Sequence, residues 1–174
     1  MPAMHVLVDM GNSVLVNAYM ETVAGFCGVL PAGDIAGFLA CSSNGMPLLH
    51  RAMMKGTPDV VRKCISRILA AGLTREEKIG LLAARRQLDG LGAFYLAMSI
   101  GDADRAIPFI QGVLTASQLD AAAKMELLQC AKGALPANAG MNESALKVWK
   151  RAGVTARAEA ERRSIISWSW ISTS

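Results

Sequence analysis

The sequence predicts an all-α chain, a solenoid of about three helical repeats of period 45 with a helical C-terminal cap. Three observations predict it. Glycines recur at Gly11, Gly56 and Gly101, each 45 residues after the last. Behind the second of them, Val60, Val61, Cys64, Ile65, Ile68 and Leu69 fall at the spacing of one buried helical face. Aromatic residues make up only 5% of the chain, and Ala, Leu, Met and Gly carry most of its apolar surface. Such a palette packs helices closely, whereas a sheet sandwich draws on more Val, Ile, Tyr and Phe.

The copies align beyond the glycines. Ala52 and Met53 fall under Ala97 and Met98, Asp59 under Asp104, Pro2 under Pro47 and His5 under His50. Further on, Met20, Ile65 and Ile110 correspond, and so do Phe38-Leu39, Leu81-Leu82 and Leu127-Leu128 with small length changes between. Within each copy a short apolar segment, 47–55 or 92–100, runs into its glycine, which is suited to a left-handed C-terminal position. A second helix starts at Pro58, whose missing N–H costs nothing in a first turn. Its counterpart holds Pro108 further along, where a proline shifts or kinks the helix start. A third helix, Thr74–Gln87, opens on a capping box in which Thr74 and Glu77 satisfy each other's backbone donors, and it stops near Asp89-Gly90. Ser117-Gln118-Leu119-Asp120 is a weaker form of the same cap. Each unit exposes apolar faces that only a neighbour covers, so stacking is obligatory.

The domain reading is an array over 1–133, a linker and capping helix over 134–163, and a tail over 164–174. Trp168 and Trp170 in that tail dock on the array, bind a partner or belong to a disordered end; the sequence leaves all three open.

With 52% hydrophobic and 18% charged residues the chain is not disordered. Six basic residues between Lys147 and Arg163 stand against Glu159 and Glu161, and this segment holds the whole net charge of +4. A phosphate-tracking groove needs cations along a face, so nucleic-acid or anionic-surface attachment through 147–163 is the weaker reading. Cys27, Cys41, Cys64 and Cys130 show no metal-ligand spacing, and no metal or cofactor is expected. No signal peptide opens the chain and no stretch is long enough to span a membrane, which predicts a soluble protein.

The stretch from Pro47 to Ile65 resembles the ankyrin repeat, whose pattern is T-P-L-H-x-A-A-x-x-G-H-x-x-V-V. Leu49-His50-Arg51-Ala52, Gly56 and Val60-Val61 stand at matching places, while Pro47 and Leu48 replace Thr-Pro and Thr57 replaces the second His. The resemblance implies stacked antiparallel helix pairs, with His50 and His5 as structural staples of the turn and Tyr95 in their place in the third copy. Over residues 2–133 the longer unit looks like the C-terminal ankyrin-like arrays of bacterial type III secreted effectors. Several of these, of the enterotoxin-like cysteine protease and caspase-modifying classes, carry a catalytic domain ahead of the array. What that likeness implies is a recognition module, or a truncated relative, that binds a host protein without chemistry of its own. It implies a bacterial cytoplasmic protein before secretion and a host-cell one after.

Candidate binding residues follow from the same register. Met10, Lys55 and Ile100, Asp9, Met54 and Ser99, and Arg51 and Leu96 occupy positions that in the ankyrin family point into the concave face. Apolar residues exposed there mark a protein-binding face, unless the third helices cover them. The turn Arg85-Arg86-Gln87-Leu88-Asp89 before the third copy is a second candidate contact region, with Arg85 and Arg86 as its contact residues. The enzyme alternative is a cysteine-dependent centre at Cys64 and His50, set against the usual inertness of buried cysteines.

Overall fold

The structure, a computed structural model, describes residues 3–26, 29–40, 42–99 and 102–129, together with Lys147 and Arg151. The expected linker, cap and tail after residue 133 otherwise lie outside the described residues. Among the described residues the chain is all-helical, with nine helices. None is long and apolar enough to cross a membrane.

The helices fall into three triplets. Short first helices are α1 (Ala3–Asp9), α4 (Leu48–Lys55) and α7 (Ala93–Ser99). Second helices are α2 (Ser13–Gly25), α5 (Pro58–Ala70) and α8 (Ala103–Thr115), each of 13 residues and starting 45 residues apart. Third helices are α3 (Ala32–Ala40), α6 (Arg75–Leu82) and α9 (Ala121–Gln129). Like packs on like: α1 on α4 and α4 on α7, α2 on α5 and α5 on α8, α3 on α6 and α6 on α9. One continuous apolar core runs through all of them.

Residues 12, 57 and 102 set where the second helices begin. The side chains of Asn12, Thr57 and Asp102 accept from the backbone N–H three residues on, at 3.0, 3.3 and 3.0 Å. Each supplies one of the donors a helix start lacks. The recurring glycines therefore sit one residue before a recurring N-cap. Gly11 is left-handed, with φ +65°, as a C-terminal glycine would be. Gly56 is not, and this corrects the expectation: it is extended, with φ −71° and ψ 165°. Its need for a bare Cα is steric, since a Cβ there would stand 2.7 Å from the Ala52 carbonyl oxygen. Gly101 lies outside the described residues.

Two further expectations change. Pro108 neither delays α8 nor moves its start, because Asp102 caps it at the register of Thr57. The third helix ends at Leu82 instead of Gln87, because residues 85–92 turn back on themselves: Arg85 and Gly92 form an antiparallel pair. At the head of α6 both bonds of the Thr74–Glu77 box are present, at 2.8 and 3.2 Å. In the last triplet Asp120, and not Ser117, caps the helix, accepting from Ala123 N–H at 2.8 Å.

α5 and α8 approach so closely at Gly112 that a Cβ would lie 2.6 Å from Ile65 Cγ2. Gly80, mid-helix in α6, has nothing within 4 Å of the same point. Identical substitutions therefore have opposite signs. Gly80→Ala is expected to raise unfolding stability by about 0.5–1 kcal/mol through lost chain entropy. Gly112→Ala is expected to lower it by about 1–3 kcal/mol, because a β-branched neighbour must shift. Urea unfolding of the two variants checks both signs.

Candidate protein-binding turn

The region between α6 and α7 is built by backbone geometry that few residue types tolerate. Gly90 has φ +69° and Gly45, 45 residues before it, φ +71°; Asn44 precedes it at φ +52°. Asn-Gly and Asp-Gly are the pairs that supply such conformations. Two turns result, one closed by Ser43 and Met46, the other by Arg85 and Gly92. They lie edge to edge, Gln87 N–H donating to the Gly45 carbonyl at 3.0 Å. A Cβ at Gly45 would meet Gln87 Oε1 at 2.6 Å, so the contact needs glycine twice over.

The later turn is braced from inside. Arg86 is ion-paired with Asp89, which pulls the Asp89 carboxyl down to about 2. Asp89 Oδ1 also accepts from Leu91 N–H at 3.2 Å, and Arg85 Nη1 donates to the Gly90 carbonyl at 2.9 Å. From below, His50 Nε2 donates to the Leu91 carbonyl at 2.6 Å, which Arg86 N–H also engages at 2.9 Å. At the tip of this braced loop stands Leu88, 86% exposed. The sequence marks the Arg85–Asp89 turn as a contact region with its arginines as the contact residues, whereas within that turn it is Leu88 that stands furthest into solvent.

The predicted residues divide. Arg86 lies over Met54, its Nη1 4.0 Å from the sulfur, and Met54 is half-buried. Lys55 and Met10 are exposed. Arg51 does not stand free in a groove: it forms a two-pronged pair with Asp9 of α1, at 2.7 and 2.5 Å, which holds the Asp9 carboxyl below its ordinary range. Leu96, at the equivalent place in α7, is only 7% exposed and is withdrawn as a contact residue. Unlike Arg51 it has no charge to keep in water, and its side chain packs instead. Ser99 ends α7 and its side chain is not described; Ile100 lies outside the described residues.

Cys64 and His50 are not joined. Cys64 is fully buried in α5 and burial pushes its thiol up to about 12. A thiol held there supplies almost no thiolate at neutral pH. His50 is spent on Leu91, and its Nδ1 is buried with no hydrogen-bond partner. His5 is buried as well, as is Tyr95 in the third triplet. Among the described residues no group of three His, Cys, Asp or Glu is placed to hold a metal ion. Of the basic segment only Lys147 and Arg151 are described, each helical and exposed. Comparison with protein-family models, with curated proteins and with solved structures finds no match to the chain.

Burial holds the His50 pKa below the ordinary imidazole value, with the Leu91 bond only partly opposing it. The folded chain therefore refuses a proton that the unfolded chain accepts below about pH 6.5. Stability from this group is complete above that pH and falls as the pH drops below it, by at most about 1.4 kcal/mol per pH unit for one proton. Urea midpoints taken between about pH 7 and about pH 5 should show this decline, and His50→Gln should flatten it while lowering stability at neutral pH. Alkylation followed by peptide mapping should leave Cys64 unmodified in the folded chain and modified in urea.

Proposed function

We propose that the chain is a protein-binding scaffold: three stacked ankyrin-like units, with the 85–90 turn and Met54 beneath Arg86, together with the exposed Lys55 and Met10, as contact residues. The exposure of Leu88 on a braced turn carries this reading. An exposed leucine at the tip of a loop already braced by hydrogen bonds and an ion pair needs little further ordering of that loop when a partner covers it. Beside Leu88, Arg85 is exposed and supplies a cation, while the charge of Arg86 is met by Asp89 within the turn, a setting suited to a largely apolar partner surface.

The stacked reading is supported by the 45-residue register of N-caps and by helices that pack on their counterparts. Its kinship with ankyrin repeats rests on the Pro47–Ile65 pattern and on His50, whose bond to Leu91 suits a turn staple. The placement of the partner in a host cell, and of the chain among secreted effectors, rests on that resemblance alone. The burial of Cys64 and the engagement of His50 weigh against the cysteine-enzyme alternative.

Leu88→Ser and Lys55→Glu change exposed side chains and should shift stability by no more than about 0.5 kcal/mol each. Together they should cut recovery of the proteins that the parent chain retains from a host-cell lysate about tenfold, equivalent to about 1.4 kcal/mol. Equal recovery by parent and double variant removes the turn from the account.

A further inference from the structure

Between α5 and α8 the repeat carries its polar chemistry reversed. At the preceding interface the later helix sends a cation across to acceptors on the earlier one. Arg67 of α5 donates from Nε to Asn17 Oδ1 at 2.8 Å and is ion-paired with Glu21 of α2. One repeat on, Gly112 stands for Arg67, Arg62 for Asn17 and Ser66 for Glu21. The crossing side chain is gone, and the earlier helix presents a cation where its counterpart presents an amide oxygen. An open groove of about 390 Å3 remains, lined by these three residues among others.

The groove is graded along its length. Ile65, Leu69 and Pro108, all buried, give it an apolar floor, while Arg62, Ser66 and Gln111 stand exposed at its rim. Among the described residues that line it there is no Asp or Glu, so Arg62 brings its one formal charge. Asp59 takes a single N–H group of that guanidinium, Nη1 at 2.8 Å, and the Arg62 side chain is 58% exposed. An exposed pair of this kind is weak, and the remaining N–H groups of the fork suit a second carboxylate. At its other end the groove reaches Ala70 and Thr115, the last residues of α5 and α8. The carbonyl ends of two helices disfavour an anion there. A carboxylate is therefore directed to the Arg62 end and an apolar side chain to the floor.

We propose that this groove docks an acidic peptide segment of a partner protein, with a Glu or Asp side chain meeting Arg62 and a neighbouring apolar side chain lying over Ile65 and Leu69. At the α2–α5 interface the chain supplies both cation and acceptors itself; at the α5–α8 interface it supplies the cation and the partner supplies the acceptor. The volume is toward the lower end of the about 300–1,000 Å3 usual for ligand pockets, which suits a few side chains better than a whole helix. The groove shares no residue with the 85–90 turn, so either contact can fail without the other.

The test is an amide NMR titration of the full chain with a synthetic peptide carrying one Glu beside one Leu in a background of Ala and Gln. Saturable shifts are expected at Ser66, Gln111 and Gly112. Replacing the peptide's Glu by Gln should weaken binding at least tenfold. Arg62→Gln removes the cation, and Ser66→Glu places a carboxylate of the chain's own beside it; each should weaken binding at least tenfold with the helical circular dichroism of the parent. Gly80→Glu, exposed in α6 with nothing within 4 Å of an added Cβ, lowers the net charge by the same single unit and should leave binding unchanged. No saturable shift, the result if residues after 133 already fill the groove, overturns the proposal. So do shifts centred on the basic 147–163 segment, binding indifferent to both Arg62→Gln and Ser66→Glu, or binding equally weakened by Gly80→Glu. Shifts at the groove on dilution without peptide, the mark of a second copy seated there, overturn it as well.

Discussion

The constraint on which this molecule depends is that α5 has no free apolar side. Val60, Val61, Cys64, Ile65, Ile68 and Leu69 are all buried, and the helix packs on both α2 and α8. A thirteen-residue helix is marginal alone in water, so its stability comes from neighbours on either flank. Those neighbours are themselves thirteen residues long and capped at the same register, so the three second helices start level with one another. The short first helices and the third helices follow from this, because their connections must fit one fixed spacing.

A shared register does not demand shared side chains, and the two interfaces of α5 differ where position 67 recurs as 112. On one flank Arg67 extends to Asn17 at 2.8 Å and to Glu21. On the other, Gly112 contributes no side chain, α8 comes in against Ile65, and an open groove of about 390 Å3 remains beside Arg62 and Ser66. Arg62 and Ser66 are the counterparts of Asn17 and Glu21, so the groove is the space an arginine would otherwise cross. One interface is bridged by polar contacts at its edge and the other is drawn close at its centre. Both keep the helices in step, and the close approach at the second depends on glycine, since a Cβ at Gly112 would force Ile65 to shift.

Much of this was legible in the sequence where one local rule governed the outcome. The apolar spacing and Pro58 mark α5, and Thr74 with Glu77 writes its own capping bonds. Legibility failed where the same letter serves two conformations. Gly11 and Gly56 hold equivalent places, yet one is left-handed and the other extended, and at the second it is crowding by Ala52 and Val60, not a positive φ, that calls for glycine. The end of α6 was misplaced for a related reason. Ala83, Ala84, Arg85 and Arg86 are good helix formers, and the turn that ends the helix at Leu82 is closed by Arg85 with Gly92 and held by Gln87 on Gly45, distant in sequence. In the candidate site the turn itself was legible from its place at a repeat junction, but that Leu88 is its most exposed large apolar residue depends on bracing contacts distant in sequence.

The polar contacts between triplets set register more than they add stability. Asp9–Arg51, Glu21–Arg67 and Arg75–Asp120 each join a helix to its counterpart one triplet on, and all lie where at least one partner is substantially exposed. Pairs of that kind contribute about 0–1 kcal/mol each. Their value is that slipping one triplet along another would break all of them together and would also remove Arg105 from the carbonyls at the end of α4. Apolar packing alone is permissive about such slips, because Ala, Leu and Met fit many neighbours. The same division of labour places the turn before α7. His50 is tied to its backbone from the preceding triplet and Gln87 to the preceding turn, so any partner that meets Leu88 meets a surface whose position the whole register has already determined.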